Sequence, residues 1–126
     1  MVQSDIAQLT GECTGWRETL RNFREEFNQC KSRLQQLASR PLSKEDLHEV
    51  EHYHNQFHIQ LINIHDLKQA IKQHERKVNV ETAFSDSQVT DETLADHENL
   101  YDQYQQLEDT LQALRQDFDV FSKRTN

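Results

Sequence analysis

The sequence predicts an all-α protein, an elongated up-down-up antiparallel three-helix bundle with coiled-coil-like heptad seams. Along most of the chain, apolar residues recur at spacings of three and four, which places them on one stripe of an α-helix. Two further segments open with the same arrangement of helix-start residues. Only Gly11, Gly15 and Pro41 oppose helix formation, so turns must be few.

The first helix has the most regular pattern. Its apolar stripe runs without a break through Ile6, Leu9, Cys13, Trp16, Leu20, Phe23, Phe27, Cys30, Leu34 and Leu37. A β-strand would send successive side chains to opposite faces and could not keep these residues together. The helix should run from about residue 5 to residue 39, because Pro41 disfavours helical geometry at Arg40.

The second helix should span about residues 44–83. Ser43 is its predicted N-cap, and Glu45 and Asp46 place negative charge in the first turn. Its predicted inner face is less regular and consists of Leu47, Val50, His54, Phe57, Leu61, Ile64, Lys68, Ile71, Glu75 and Val78. On this phase, one histidine and two charged residues interrupt the apolar seam.

The third helix should span about residues 91–124, after a polar loop at residues 85–87. Thr90 is the predicted N-cap, followed by Asp91 and Glu92 in the first turn. Its predicted seam is His97, Leu100, Tyr104, Leu107, Leu111, Leu114, Phe118 and Phe121. The repeated start signal supports both helix boundaries.

The ends of successive helices carry opposite charges, which indicates antiparallel neighbours. Helix 2 ends with basic residues and helix 3 begins with acidic ones, and short connections favour the same arrangement. We therefore expect one domain over residues 1–126. With Trp16 on its first helix, this arrangement resembles a spectrin-type repeat in helix number and helix length. The resemblance is one of architecture and implies a fold only.

Charge and composition exclude several classes of function. The net charge is −8, and residues 84–126 hold three basic and ten acidic side chains. An acidic chain without a basic stripe repels phosphate backbones, so no nucleic-acid partner is expected. No apolar run approaches the length of a membrane span, and the first residues do not read as a secretory signal. We expect no membrane association and a cytoplasmic location.

The two cysteines fit a reducing compartment. Cys13 and Cys30 lie 17 residues apart on one helix, a separation of about 25 Å that prevents a disulfide between them. Both are interpreted as small buried apolar side chains. No histidine lies near either one in the sequence to activate it as a nucleophile.

Six of the seven histidines lie in helix 2, where His48 and His52 match the H-E-x-x-H pattern of zinc proteases. The predicted helix phase turns both towards solvent, and a catalytic zinc needs a third protein ligand and a walled cleft. This pair is therefore expected to do no more than bind metal adventitiously at the surface.

A second group, Glu51, His54 and His58, includes the Glu-x-x-His spacing used by di-iron helical bundles. Such sites take ligands from several helices, whereas the other two seams offer only His97, with Glu98 as a further candidate. A polar flank of helix 2 is the preferred interpretation. A metal site formed by these residues remains the alternative.

The predicted register also gives two of these histidines specific neighbours. His54 would lie in the core beside Phe57, and antiparallel packing would bring His97 close to Glu75. Both expectations depend on the phase assigned to helix 2.

Ile59 and Ile62 are predicted to face away from the inner seam of helix 2, as an interaction surface. We found no phosphate-binding loop, Ser/His/Asp arrangement or paired-cysteine zinc site, so no catalytic residues and no cofactor are expected. The expected function is a non-enzymatic cytoplasmic helical bundle that serves as a protein-interaction or assembly module. Its partner would be another protein or a second copy, with a homodimer favoured; the alternative is a metal-binding bundle that uses helix-2 histidines.

Overall fold

The computed structural model describes residues 2–84 and 88–125, with side chains from residue 6 onward. The described chain forms three helices, α1 (Val2–Ala38), α2 (Lys44–Phe84) and α3 (Asp91–Thr125), and contains no strand. The prediction of an all-α three-helix bundle is confirmed. The polar loop predicted at residues 85–87 lies outside the described residues.

Both predicted N-caps are formed. The backbone N–H of Asp46 donates to Ser43 Oγ at 3.1 Å, and the N–H of Thr93 donates to Thr90 Oγ1 at 3.1 Å. These bonds satisfy backbone donors that have no partner within the first turn of a helix.

Each helix packs on both of the others, and cross-helix contacts fix their directions. Near one end of the bundle, Arg17 of α1 pairs with Glu75 of α2. At the other end, Arg33 of α1 donates to Ser122 of α3, and Arg124 of α3 pairs with Glu49 of α2. The helix α1 is therefore antiparallel to α2 and parallel to α3.

The apolar stripe of α1 forms one wall of the core, as predicted. All of its members are buried except Ile6, which is half-buried. The centre of the core is aromatic, with Phe57 fully buried between Phe27, at a ring-centroid distance of 5.0 Å, and Phe118, at 5.1 Å. Burial of these large rings contributes strongly to bundle stability.

The predicted inner face of α2 is half correct. The buried residues are Val50, Tyr53, Phe57, Gln60, Ile64, Leu67, Ile71, His74 and Val78. At His54, Leu61, Lys68 and Glu75 the buried residue is the one before the predicted one, and Leu47 is 42% exposed. His54 is exposed, while Lys68 and Glu75 are half-buried. Tyr53 takes the inner position because its ring packs against Phe118 and Phe121, at centroid distances of 5.5 and 5.1 Å.

Candidate functional site

A buried polar cluster lies where the three helices meet, near the start of α1. Cys13 of α1, His74 of α2 and His97 of α3 are only 1%, 5% and 6% exposed. We call these residues the Cys-His-His cluster. Their potential ligand atoms all lie within 4.8 Å of one another. His97 Nδ1 is 3.0 Å from His74 Nε2 and 4.0 Å from Cys13 Sγ.

Heptad spacing explains why these three side chains converge. Each residue lies on the buried face of its helix. Cys13 lies between the buried Leu9 and Trp16, and His74 lies between the buried Ile71 and Val78. Helical periodicity therefore points all three towards the bundle axis. Because α2 runs opposite to α1 and α3, His74, in the last third of α2, lies at the same height along the bundle as Cys13 and His97, in the first third of their helices.

The imidazole of His97 is held on two sides. Its Nε2 lies 3.0 Å from a carboxylate oxygen of Glu12, and its ring stacks on Trp16 with centroids 4.9 Å apart. A carboxylate accepts hydrogen bonds, so this contact places the proton of neutral His97 on Nε2. The lone pair of Nδ1 then faces His74 and Cys13.

Burial disfavours the charged forms of two members of the cluster, His74 and Cys13, and ion pairs lie on either side of it. Burial, together with the neighbouring His97, lowers the pKa of His74, and burial raises the pKa of the Cys13 thiol to about 12. The flanking pairs are Arg17–Glu75, with a shortest distance of 2.6 Å, and Lys77–Asp96, at 3.1 Å.

The structure corrects two expectations here. No hydrogen bond or ion pair joins His97 to Glu75, whose carboxylate pairs with Arg17. His97 instead bonds to His74, one residue earlier. Cys13 does have a neighbouring histidine, which comes from another helix and is 84 residues away in sequence. The cluster could have been predicted only from the correct choice of which α2 residues face the core, because that choice decides whether residue 74 or residue 75 is buried.

The predicted ligand candidates Glu51, His54 and His58 are all exposed on α2. Glu51 and His54 border a shallow cleft against α1, which contributes apolar residues and Gln35. Among the described residues, only the Cys-His-His cluster brings three or more potential metal ligands into one group. The preferred candidate for metal binding therefore moves from the flank of α2 to the bundle core.

The solvent-facing side of α2 carries a second feature. A stripe of exposed residues at alternating spacings of three and four, which we call the outer stripe, comprises Glu45, His48, His52, Asn55, Ile59, Ile62, Asp66, Gln69, Gln73 and Arg76. At its centre, Ile59 and Ile62 are 45% and 48% exposed. Residues 52–65 include no Asp, Glu, Lys or Arg, although such residues make up 29% of the chain.

Within the described residues, no helix is long and apolar enough to cross a membrane. Comparison with protein-family models, curated proteins and solved structures finds no match to this chain. The resemblance to a spectrin-type repeat therefore rests on helix number, helix length and Trp16.

Proposed function

We propose that this protein is a cytoplasmic, non-enzymatic assembly module that pairs with a second copy of itself through the outer stripe of α2. The observation that carries the proposal is the placement of Ile59 and Ile62, both about half exposed, within the uncharged segment 52–65. The cores of protein interfaces are depleted of charged residues in the same way.

The bundle does not need these two isoleucines. The inner face of α2 already packs on α1 and α3, and its fully buried residues include Phe57 and Ile64. Burying the exposed half of each isoleucine would contribute about 1 kcal/mol per side chain. Four such side chains per dimer oppose a substantial entropy cost of association, so we expect a weak dimer that forms with increasing concentration.

The outer stripe is complementary to itself in an antiparallel arrangement. A two-fold axis midway between residues 59 and 62 sets Ile59 against Ile62 of the second copy. The same axis sets Glu45 against Arg76 of the second copy, an ion pair that occurs twice. Parallel pairing in register would instead oppose Glu45, Asp66 and Arg76 to their own copies, and like charges repel.

Sedimentation equilibrium over a wide concentration range tests this function. The wild type should move from monomer to dimer as its concentration rises. Ile59→Glu/Ile62→Glu places four carboxylates at the axis and should leave a monomer with unchanged helix content by circular dichroism. The matched control is Val120→Glu, at a residue of α3 that is 66% exposed, which should dimerise normally. A wild type that stays monomeric, or a dimer that survives the double substitution, would overturn the proposal.

A further inference from the structure

We infer that the Cys-His-His cluster binds one zinc ion per chain, through Cys13 Sγ, His74 Nε2 and His97 Nδ1. Thiolate sulfur and imidazole nitrogen are the ligand atoms that Zn²⁺ prefers in proteins. One ligand comes from each helix, so a bound ion would tie α1, α2 and α3 together at this end of the bundle.

Two of the three distances among these atoms are close to those of a tetrahedral zinc site, and all three atoms lie within 4.8 Å of one another. Ordinary zinc–ligand lengths imply about 3.3 Å between two nitrogen ligands and about 3.6 Å between nitrogen and sulfur. The structure has 3.0 Å between the two nitrogens and 4.0 Å between Cys13 Sγ and His97 Nδ1. Shifts of about half an ångström, within reach of small side-chain rotations, would bring these two distances to the expected values.

Glu12 supplies the outer contact that zinc-binding histidines commonly have. Its carboxylate accepts a hydrogen bond from His97 Nε2, which leaves Nδ1 free to coordinate and fixes the orientation of the ring. Stacking on Trp16 restrains the same ring from its face. This carboxylate–histidine arrangement is the observation that favours a metal site over a simple buried pair of histidines.

In the metal-free protein, with the His97 proton on Nε2, His74 Nε2–H donates to His97 Nδ1, so these two facing nitrogens satisfy each other. Zinc replaces that hydrogen bond with two coordinate bonds, and the His74 proton moves to Nδ1 of the same ring. The Cys13 thiol loses its proton to solvent as the sulfur–zinc bond forms.

Two clefts border the cluster. His97 and Glu12 line a cleft of about 350 Å³ between α1 and α3, and His74 lines another of about 300 Å³ between α2 and α3. Three protein ligands leave the fourth zinc position for a water molecule. Copper sites that use two histidines and one cysteine typically add a weak axial methionine. The described residues include no methionine, which favours zinc over copper.

The decisive experiment titrates untagged protein, first stripped with a chelator, with CoCl₂ and then with ZnCl₂. Cobalt should bind at one ion per chain, with a thiolate-to-cobalt charge-transfer band and the strong visible bands of tetrahedral Co²⁺. Zinc should displace it. Cys13→Ser should abolish the charge-transfer band, whereas Cys30→Ser, the matched change at the other buried cysteine, should retain it. Saturation without that band, or an unchanged band in Cys13→Ser, would overturn the inference.

Two further variants distinguish zinc held in the bundle core from zinc bound at the protein surface. Glu12→Gln should weaken zinc binding by about 10- to 100-fold while retaining the charge-transfer band, as expected of a positioning residue. His48→Gln/His52→Gln removes the exposed histidine pair and should leave binding unchanged. If the double variant abolishes binding, the metal sits adventitiously on the surface and the inference is wrong.

Nitrogen-15 NMR of the histidine rings gives a test that needs no substitution. On addition of ZnCl₂, His74 Nε2 and His97 Nδ1 should shift as coordinated nitrogens, while His97 Nε2 keeps its proton. Unchanged ring signals would contradict the inference. The site does not depend on self-association, because Ile62 and His74 are 12 residues apart, about 18 Å along α2. Ile59→Glu/Ile62→Glu should therefore bind zinc normally.

Discussion

Glu81, near the end of α2, accepts a hydrogen bond of 2.6 Å from the hydroxyl of Thr93, which is fully buried in the first turn of α3. Its other carboxylate oxygen accepts the backbone N–H of Thr90 at 2.9 Å. One side chain therefore fastens the start of α3 to the end of α2. Its negative charge also lies at the positive end of the α3 dipole.

These bonds predict how acid affects the bundle. They favour the ionised carboxylate, with the Thr93 contact as the largest cause, and so lower the pKa of Glu81. The stabilisation is fully present above the ordinary glutamate pKa of about 4.3 and is lost as the pH falls through the lower folded value. Urea unfolding should show Glu81→Gln to be less stable than wild type at pH 7, with a difference that shrinks below about pH 4.

Glu25→Gln, a change at an exposed residue of α1, is the control and should have little effect at either pH. A Glu81→Gln deficit that is the same at pH 7 and in acid would show that the charge of the carboxylate is not what stabilises this contact.

The caps of α2 and α3 should each contribute measurably to stability. Thr90→Ala removes the acceptor of the Thr93 N–H, and Ser43→Ala removes that of Asp46. Each change should lower the free energy of unfolding by about 1 kcal/mol. Thr90→Ser keeps the hydroxyl and should lose much less, unless the methyl group rather than the cap is what matters at this position.

A pair of adjacent substitutions tests the phase of α2. Tyr53→Ala removes a ring that packs on Phe118 and Phe121 and should cost about 3 kcal/mol. His54→Ala alters an exposed side chain and should change stability by less than about 0.5 kcal/mol. Equal effects, or a larger loss at residue 54, would contradict the packing of Tyr53 into the core.

The Arg17–Glu75 pair should be stronger than the exposed pairs. Its two hydrogen bonds measure 2.6 and 3.1 Å, and the Glu75 side chain is only 19% exposed. We expect Glu75→Gln to cost about 1 kcal/mol. Asp119→Asn, which breaks the solvent-exposed pair with Lys123, should cost at most about 0.5 kcal/mol. Equal losses in the two variants would show that partial burial adds nothing to the inner pair.

The seam of α1 could be read from sequence because each of its apolar residues falls on one heptad phase. The inner face of α2 was ambiguous, since Leu61 and Leu67 belong to different phases and both approach the core. A middle helix with two neighbours has a wide buried face, so spacing alone does not select one phase. The evidence for the correct buried face of α2 was that it contains Tyr53 and Leu67, whereas the other face contains the charged Lys68 and Glu75.

The sequence pattern does not predict the Cys-His-His cluster, for the same reason. The sequence pattern puts both Cys13 and His97 on inner seams, and the antiparallel register brings His97 to within one residue of its observed neighbour. The shifted phase of α2 puts Glu75 at that place instead of His74. Because the cluster takes one residue from each helix, no local motif could reveal it. By contrast, Ile59 and Ile62 lie on the outer side of α2 under either phase.

Oxidative cross-linking between two cysteine variants tests antiparallel self-association through α2 most directly. His52 and Gln69, both exposed on the outer stripe, should face each other across the two-fold axis. A mixture of His52→Cys and Gln69→Cys should therefore form the mixed disulfide dimer. Each variant alone should form little, because its two cysteines would lie about 25 Å apart. Equal cross-linking of each variant with itself, or no mixed dimer at concentrations where the wild type associates, would contradict antiparallel pairing.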